Sequence, residues 1–520
     1  MRIYLCDESA KERSAIKKCV DKYLRGNYQV SIKEFSSVEN MLSELPINKP
    51  SLMIVNLPEQ KIKDPVIVQK LQGRKSNQKM IMTAAIGFLM IIAIVALLLK
   101  GKMSPIVVLA VIPVIAALIL GFSPVEVMDF IADGIKTTTS NGILFIFSVI
   151  YFGVLADTGL FDVIVGWLVK KAGNNVIAVT VVTALIATIA HLDGTTAVTV
   201  LITIPAMYPV YKKMNIDSRI LLCLTGACMG VMNLLPWGGP TARAATVLAM
   251  DATELWHMLI PLQVVGLMMN IILAVLLGML AIKHGAGAGK GVEVESDEKE
   301  KKEAADLRKS NAYLIFNFLL TVGVIALLST GIGKSYVIFM LGLCILLAVN
   351  YPNQKLQDKL IKKHAPAALI ISATLFAAGA MVGVFDGTGM LEAMANAIMA
   401  IIPAALGKYV HIIFGILALP LGLCVGTDAY FYGIMPLVMQ VGETYGVASL
   451  NTALTMLIGK NLALMVSPLV PATYLAIGLT GTELKDHMKF SIQPYYIISL
   501  IMLVFGVILG IVAISMINDE

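Results

Sequence analysis

The sequence predicts an all-α polytopic membrane protein made of two inverted repeats. Each repeat has five spans and a re-entrant hairpin, and a small degenerate α/β segment precedes them. Three observations lead there. Of 520 residues, 58% are hydrophobic and 14% charged, with a mean hydropathy of +0.82, whereas soluble domains are about 25% charged. Apolar stretches long enough to cross about 30 Å of hydrocarbon recur from Met80 onward. Motifs of the first half also return, in order, in the second.

Residues 1–79 have ordinary soluble composition. "MRIYLCDES" reads as a short strand ending in acids and "SLMIVNL" as another, with helical patterns between. This resembles the front half of a response-regulator receiver domain. The resemblance implies an acidic pair, Asp7 and Glu8, that would hold Mg²⁺, and a phosphoryl-accepting aspartate after the third strand. Asn56 stands at that last position, and an amide cannot accept the phosphoryl group. The later strands are missing before the apolar segments begin. The head is therefore expected to be degenerate or foreign to the working protein, with Met80 or Met82 as alternative starts and no cleavable signal peptide.

Spans are expected near 82–99, 104–121, 142–156, 218–236, 256–283, 312–330, 335–350, 367–385, 447–470 and 491–515. Segments 176–212 and 409–440 are apolar but broken at their centres by polar residues and glycine. The stretch "GAGAGKGVEVESDEKEKKEAADLRKS" mixes glycine with alternating charge and reads as a flexible linker. The expected organisation is repeat 1 at 80–283, a cytoplasmic linker at 284–311 and repeat 2 at 312–520.

The halves are related motif by motif. "VLADTGLFDVI" has a counterpart in "GVFDGTGMLEAM", "HLDGTTAVTVLITIPAM" in "CVGTDAYFYGIMPLVM", and "NLLPWGGPTARAAT" in "LMVSPLVPATYLA". Asp157 thereby answers to Asp386, Asp193 to Asp428 and Pro236 to Pro468, and the spacing in the chain is nearly the same each time. One nearly constant offset across three unrelated motifs indicates a duplication. With the linker cytoplasmic, the loops bearing Lys100/Lys102, Lys170/Lys171, Lys212/Lys213/Arg219, Lys355 to Lys363 and Lys485/Lys489 all fall inside. The opposite loops hold little beyond Lys136, Arg243, Lys334 and Lys408, with Glu126, Asp129, Asp251 and Glu254 among them. An odd number of spans per half inverts the second repeat, the usual build of a secondary transporter. It also places the N-terminus outside, where a receiver-like head has no use.

Irregular backbone at membrane depth must line a cavity or be buried in protein. "HLDGTT" fits a hairpin tip, with one helix climbing from Val176 and breaking at Asp193-Gly194. Another begins at Thr195-Thr196, presenting unpaired N–H groups and a positive dipole end. "VGTDAYF" offers a second tip. "PWGGPT" and "SPLVPAT" interrupt two further spans, freeing carbonyls and hydroxyls. These are hard oxygen ligands suited to Na⁺, Mg²⁺ or Ca²⁺. The expected site is bipolar, with dipole ends for an anion and oxygens for a cation.

Structural roles compete with functional ones at each position. Asp193 and Asp428 are favoured helix caps, yet an aspartate at bilayer depth is also a site candidate by default. His191 reads first as a packed, hydrogen-bonded histidine, with proton relay as the alternative. Asp157 and Asp386 are coupling candidates or helix-end residues near an interface. Arg243 and Lys460 either contact substrate or serve a loop or snorkelling role. The six cysteines have no metal or disulfide spacing, and the 29 methionines read as apolar filler.

"LDGTT", "GVMNLLPWGGPTARAATVL" and "GTDAYFYGIMPL" followed by "SPLVPATYLAIGL" resemble the bacterial citrate–metal–proton symporter family of the ion transporter superfamily, over about residues 82–515. The resemblance implies opposed hairpins, a homodimer in the bacterial cytoplasmic membrane, an elevator movement, and citrate carried with Mg²⁺ or Ca²⁺ in symport with protons. It places Asp193, Gly194, Thr195, Thr196, Gly426, Thr427 and Asp428 at the site, with Asn233, Gly238, Gly239, Thr241, Ser467 and Thr473. Arg243 is added as a substrate contact, Asp193 and Asp428 as metal ligands, and His191, Asp157 and Asp386 as coupling candidates. In the family the first tip repeats its Asp-Gly, so the single "DGTT" here carries one carboxylate fewer. Few basic residues flank the motifs, and a naked tricarboxylate would bring uncompensated charge into a low dielectric. A metal-neutralised substrate, or one loaded with H⁺ or Na⁺, suits them better.

The expectation is a secondary transporter and not an enzyme, with no permanently bound cofactor and no nucleic-acid partner, in contact with lipid and a small carboxylate. A sodium-coupled di- or tricarboxylate carrier is the alternative within that class. A transporter-like sensor and a decarboxylase-driven pump subunit are alternatives outside it. Asn56 weighs against the sensor. The lack of a biotin site, thiolate–His pair or HExxH weighs against the pump.

Overall fold

A computed structural model describes residues 2–7, 14, 17–18, 31–35, 51–56, 65–100, 102–287, 310–399 and 404–513. The chain forms two compact units, Met1–Ala85 and Ile86–Glu520. In the first, strands β1 (Arg2–Asp7), β2 (Ser31–Phe35) and β3 (Ser51–Asn56) make a parallel sheet in the order β2-β1-β3. Asp7 and Asn56 sit opposite each other in the β1–β3 register. Helical patterns are expected between β1 and β3, and β2 is a strand there. Glu8 lies outside the described residues, as do 288–309 of the expected linker.

Helices account for most of the other described residues. The first half holds α1 (Pro65–Lys100), α2 (Pro105–Ile119), α3 (Pro124–Asp157), α4 (Leu160–Ala172), α5 (Val176–Ala190), α6 (Thr196–Lys213), α7 (Ser218–Met232), α8 (Gly239–Val247) and α9 (Ala252–Lys283). The second holds α10 (Asn311–Ser329), α11 (Ser335–Asn350), α12 (Gln354–Thr388), α13 (Met390–Met399), α14 (Val410–Cys424), α15 (Met435–Thr444), α16 (Ser449–Lys460), α17 (Pro471–Thr480) and α18 (Leu484–Ile508). A single further turn, Ala404–Gly407, precedes α14. Among the described residues, eight helical segments are long and apolar enough to cross a bilayer, and α2, α7, α11 and α14 are shorter apolar helices. Taken in order, α1–α9 and α10–α18 match in role: two spans, one long helix, one short helix, a broken hairpin, a broken span and a final span.

Two expected spans are corrected in length. The segment 142–156 is the end of the 34-residue α3, and 367–385 lies inside the 35-residue α12. The polar run "KTTTSN" looks like a loop but is helical, and Thr137, Thr138 and Thr139 satisfy their hydroxyls on carbonyls of Gly134 and Ile135 one turn back. A capping box between Ser123 and Glu126 starts α3. Asn353 caps α12, its Oδ1 accepting from Leu356 N at 3.2 Å.

These two long helices cross closely. Gly379, Gly383 and Gly387 recur every fourth residue on α12. A β-carbon at Gly383 would overlap the Phe130 carbonyl oxygen, and one at Gly379 would lie 2.7 Å from that of Gly134. Small residues at this spacing let helix backbones approach where the hydrophobic effect gives no drive for association. Helices α2 and α11 pack on the crossing, whereas the hairpins and broken spans pack mainly among themselves.

Candidate functional site

The first break forms where the sequence places it. Helix α5 runs into a 3₁₀ turn, His191–Asp193, and Gly194 then takes a left-handed φ of +72°. Thr195 is extended and α6 begins at Thr196. The Asp193 carboxylate, 6% exposed, accepts from Thr195 N at 2.9 Å and from Thr195 Oγ1 at 2.5 Å. It therefore ties down its own tip. His191, fully buried, spans two elements, with Nδ1 2.6 Å from Thr199 Oγ1 and Nε2 3.2 Å from Asn233 Oδ1.

The second tip is built differently. Helix α14 ends at Cys424, Val425 is extended, and Asp428 precedes a π-helical turn, Ala429–Ile434, that leads into α15. Such wide turns frequently occur at functional positions. Asp428 makes no capping bond to the helix after it. Instead its Oδ1 accepts from Arg243 Nε at 2.7 Å, with both side chains about four-fifths covered (21% and 22% exposed). Arg243 lies on α8, and its Nη1 donates to Gly239 O at 2.9 Å. The expectation that Arg243 sits in a loop is corrected: it is in a half-helix, ion-paired with a residue of the other half of the chain.

Both broken spans brace the tip of their own half. In the first, Asn233 ends α7, Trp237 Nε1 donates to Leu192 O at 2.6 Å and Thr241 Oγ1 donates to Asn233 O at 2.8 Å. Gly238 is extended and starts α8 with Gly239. A β-carbon at Gly238 would overlap the Asn233 carbonyl, so only glycine fits the turn. In the second, Lys460 ends α16, a 3₁₀ turn covers Asn461–Val466, and Pro471 opens α17. Lys460, 2% exposed, donates to Thr427 Oγ1 at 2.9 Å and lies 5.1 Å from the Phe431 ring. Ser467 Oγ reaches Leu423 O at 3.5 Å, and Thr473 Oγ1 donates to Ser467 O at 3.2 Å. The two spans touch where Gly230 faces Leu462, leaving no room for a β-carbon.

The half-helices reach across the halves: α8 packs on the π turn after tip two and α17 on α6 after tip one. Leu475 occupies the place on α17 that corresponds to Arg243, at the offset that relates Pro468 to Pro236. The cation is thus supplied to one tip only. Arg243, Asp428 and Lys460 lie within electrostatic range of one another, as does Tyr432 of the first two.

Asp157 and Asp386 sit apart from this cluster. Asp157, at the end of α3, accepts from Lys363 Nζ at 2.5 Å and pairs with His364 Nε2 at 2.8 Å, both on α12. Asp386 is exposed near the end of α12, and its carbonyl accepts from Gly389 N. Gly426 has open space around its Cα. Two residues escaped the sequence reading. Asn461, 2% exposed, has no hydrogen-bond partner for either side-chain atom, and neither does the buried Tyr432 hydroxyl. Asn461 follows Asn233 by nearly the same offset as the paired motifs, and that spacing pointed to it.

The sequence match decides the family. The citrate transporter family model covers residues 86–459, from α1 to the end of α16. The chain belongs to the citrate transporter family. It is 34% identical over 432 residues to the "Citrate transporter" of Bacillus subtilis (strain 168), covering 83% of this chain and 100% of that protein. It is 33% identical over 434 residues to the "Mg(2+)/citrate complex secondary transporter" of the same organism, covering 84% and 100%. The "Uncharacterized transporter YraO" of that organism is 29% identical over 440 residues, covering 83% and 100%. Among solved structures, the Alcanivorax borkumensis YdaH transporter superposes with a TM-score of 0.53 at 14% identity, covering 73% of this chain and 87% of that one. This likeness concerns the fold alone. The protein is a multi-pass membrane transporter of the citrate family, and not an enzyme.

Proposed function

We propose that this citrate-family transporter carries citrate as its complex with a divalent metal, Mg²⁺ or Ca²⁺, in symport with protons, by elevator-type alternating access. The observation that carries this reading is the charge arrangement at the second tip: Asp428 between Arg243 and, one residue away on Thr427, Lys460. One relative bears the name of an Mg²⁺/citrate complex transporter. A divalent ion of this kind takes six or more oxygens, and each tip offers a single aspartate, Asp193 or Asp428. Most of the metal's ligands then come with the substrate. The basic pair and the N-terminal end of α8 receive carboxylates the metal leaves free. Asn461 and Tyr432, buried without partners, are added to the proposed site, with Asn233, Gly238, Gly239, Thr241, Ser467 and Thr473 shaping it.

Two repeats, 80–283 and 312–520, of opposite orientation would place the tips head to head, and the matched helix order supports this. The crossing of α3 and α12 forms the fixed part, and the hairpins with the broken spans form the moving part. The fixed part is where a homodimer would join. His191, bridging tip one to Asn233, is the best placed of the coupling candidates. The head, 1–79, is read as a degenerate receiver-like segment: its strand order fits, and Asn56 removes the phosphoryl acceptor.

The test is uptake of radiolabelled citrate into proteoliposomes of the purified chain with Mg²⁺ present and either a proton or a sodium gradient imposed. Accumulation driven by the proton gradient and abolished by a protonophore is expected. Accumulation with sodium alone would replace the coupling ion. None under either gradient would overturn secondary transport of citrate.

A further inference from the structure

Asp193 and Asp428 occupy corresponding tips but are held in different ways. Asp193 is bound by the backbone and hydroxyl of Thr195, two residues on. Asp428 leaves its own helix uncapped and neutralises Arg243, a residue of the other half. The pair therefore uses both groups that a metal–carboxylate complex would need. Arg243 is an anion receptor already holding a carboxylate, and Asp428 is a cation ligand already holding a guanidinium.

We propose that the Arg243–Asp428 pair is a latch that a metal–carboxylate complex opens by exchanging partners, and that refuses either component alone. This rests on the substrate proposed above. A free carboxylate that displaced Asp428 from Arg243 would leave Asp428 partly buried without its ion pair, with only Lys460, held on Thr427, nearby. A free divalent cation that took Asp428 would strand Arg243 in the same way. Each half-exchange leaves a partly buried charge without its ion pair, which is unfavourable. The complex completes both exchanges at once: its carboxylate takes the guanidinium, and its metal takes the aspartate. No covalent bond changes and no proton moves. Arg243 is suited to this because Nη1 stays anchored on Gly239 O while Nε changes partner. Leu475 at the corresponding place on α17 means that only the second tip carries such a latch.

The test measures binding by the purified full-length protein in detergent, with radiolabelled citrate in the presence and absence of Mg²⁺, and with Mn²⁺ alone by electron paramagnetic resonance. In the native protein, Mg²⁺ should raise citrate affinity at least about tenfold. In Asp428→Asn, Arg243 is released: metal-free citrate should bind about tenfold more tightly than to the native protein, and the Mg²⁺ effect should fall below about threefold. In Arg243→Gln, Mn²⁺ alone should bind more tightly, with citrate weakened. Thermal midpoints close to native in both single variants show that they fold, and the double variant, neutral at both positions, should lose both gains. An unchanged Mg²⁺ effect in Asp428→Asn, or no gain of Mn²⁺ in Arg243→Gln, overturns the latch. If the native protein binds no citrate but Arg243→Gln gains Mn²⁺, the latch stands and the citrate reading falls.

Discussion

Trp237 holds the first tip from the side: its indole Nε1 donates to the Leu192 carbonyl at 2.6 Å, one residue before Asp193. The ring packs with Phe152 and Phe339, at centroid separations of 5.4 and 4.9 Å. Trp237→Phe removes the donor and keeps an aromatic ring, at the cost of some buried indole volume. Trp237→Phe should lose about 0.5–1.5 kcal/mol of tip positioning. Citrate uptake in proteoliposomes should fall severalfold while the protein remains folded by size exclusion. Native uptake rates in that variant would show that the tip does not depend on the bond.

Gly194 and Gly426 stand one in each tip, and they should respond differently to alanine. Gly194 has a left-handed φ, and a β-carbon there would lie 2.8 Å from the Trp237 carbonyl oxygen. The conformation alone costs about 1–2 kcal/mol for a non-glycine residue, and the contact adds to it. Gly194→Ala should lower the thermal midpoint and abolish uptake. Gly426→Ala meets open space and should leave the midpoint unchanged.

The two tips were legible in the sequence because Asp193-Gly194 and Gly426-Thr427-Asp428 interrupt apolar runs, and only a buried break explains them. The length of α3 was not, because threonines that bond their own helix look the same in sequence as a polar loop. The partner of Arg243 was equally hidden. It lies far along the chain, in the other half, and nothing local in "PTARAAT" distinguishes a buried arginine from one at a loop. The stripe of Gly379, Gly383 and Gly387 could have been read from its spacing. Asn461 lies in "GKNLALMV", where no proline marks the break and the chain tightens into a 3₁₀ turn.

The α3–α12 crossing should tolerate no side chain. At Gly383 a β-carbon meets backbone, which cannot swing away as a flexible side chain can. Gly383→Leu should yield protein that aggregates or melts well below the native midpoint in a fluorescence-based thermal assay. A midpoint within about 1 °C of native would contradict the close crossing, since a loss of about 1 kcal/mol moves even larger domains by a few degrees.

Asp157 is expected to act through the same crossing and not through coupling. It is 12% exposed and takes Lys363 and His364 together, whereas Lys363 is half exposed and partly screened. Asp157→Asn should lower stability by about 1–2 kcal/mol, discounted for that screening. Proton-driven citrate uptake should persist. Uptake that no longer responds to a proton gradient would return Asp157 to the coupling path.

Citrate and its metal are expected to cross together. Proteoliposomes supplied from outside with radioactive citrate and radioactive Ca²⁺ measure this directly. Equimolar entry of the two labels, with neither entering alone, is the result expected from the charges at Arg243, Asp428 and Lys460. Citrate entering while calcium stays outside would contradict it.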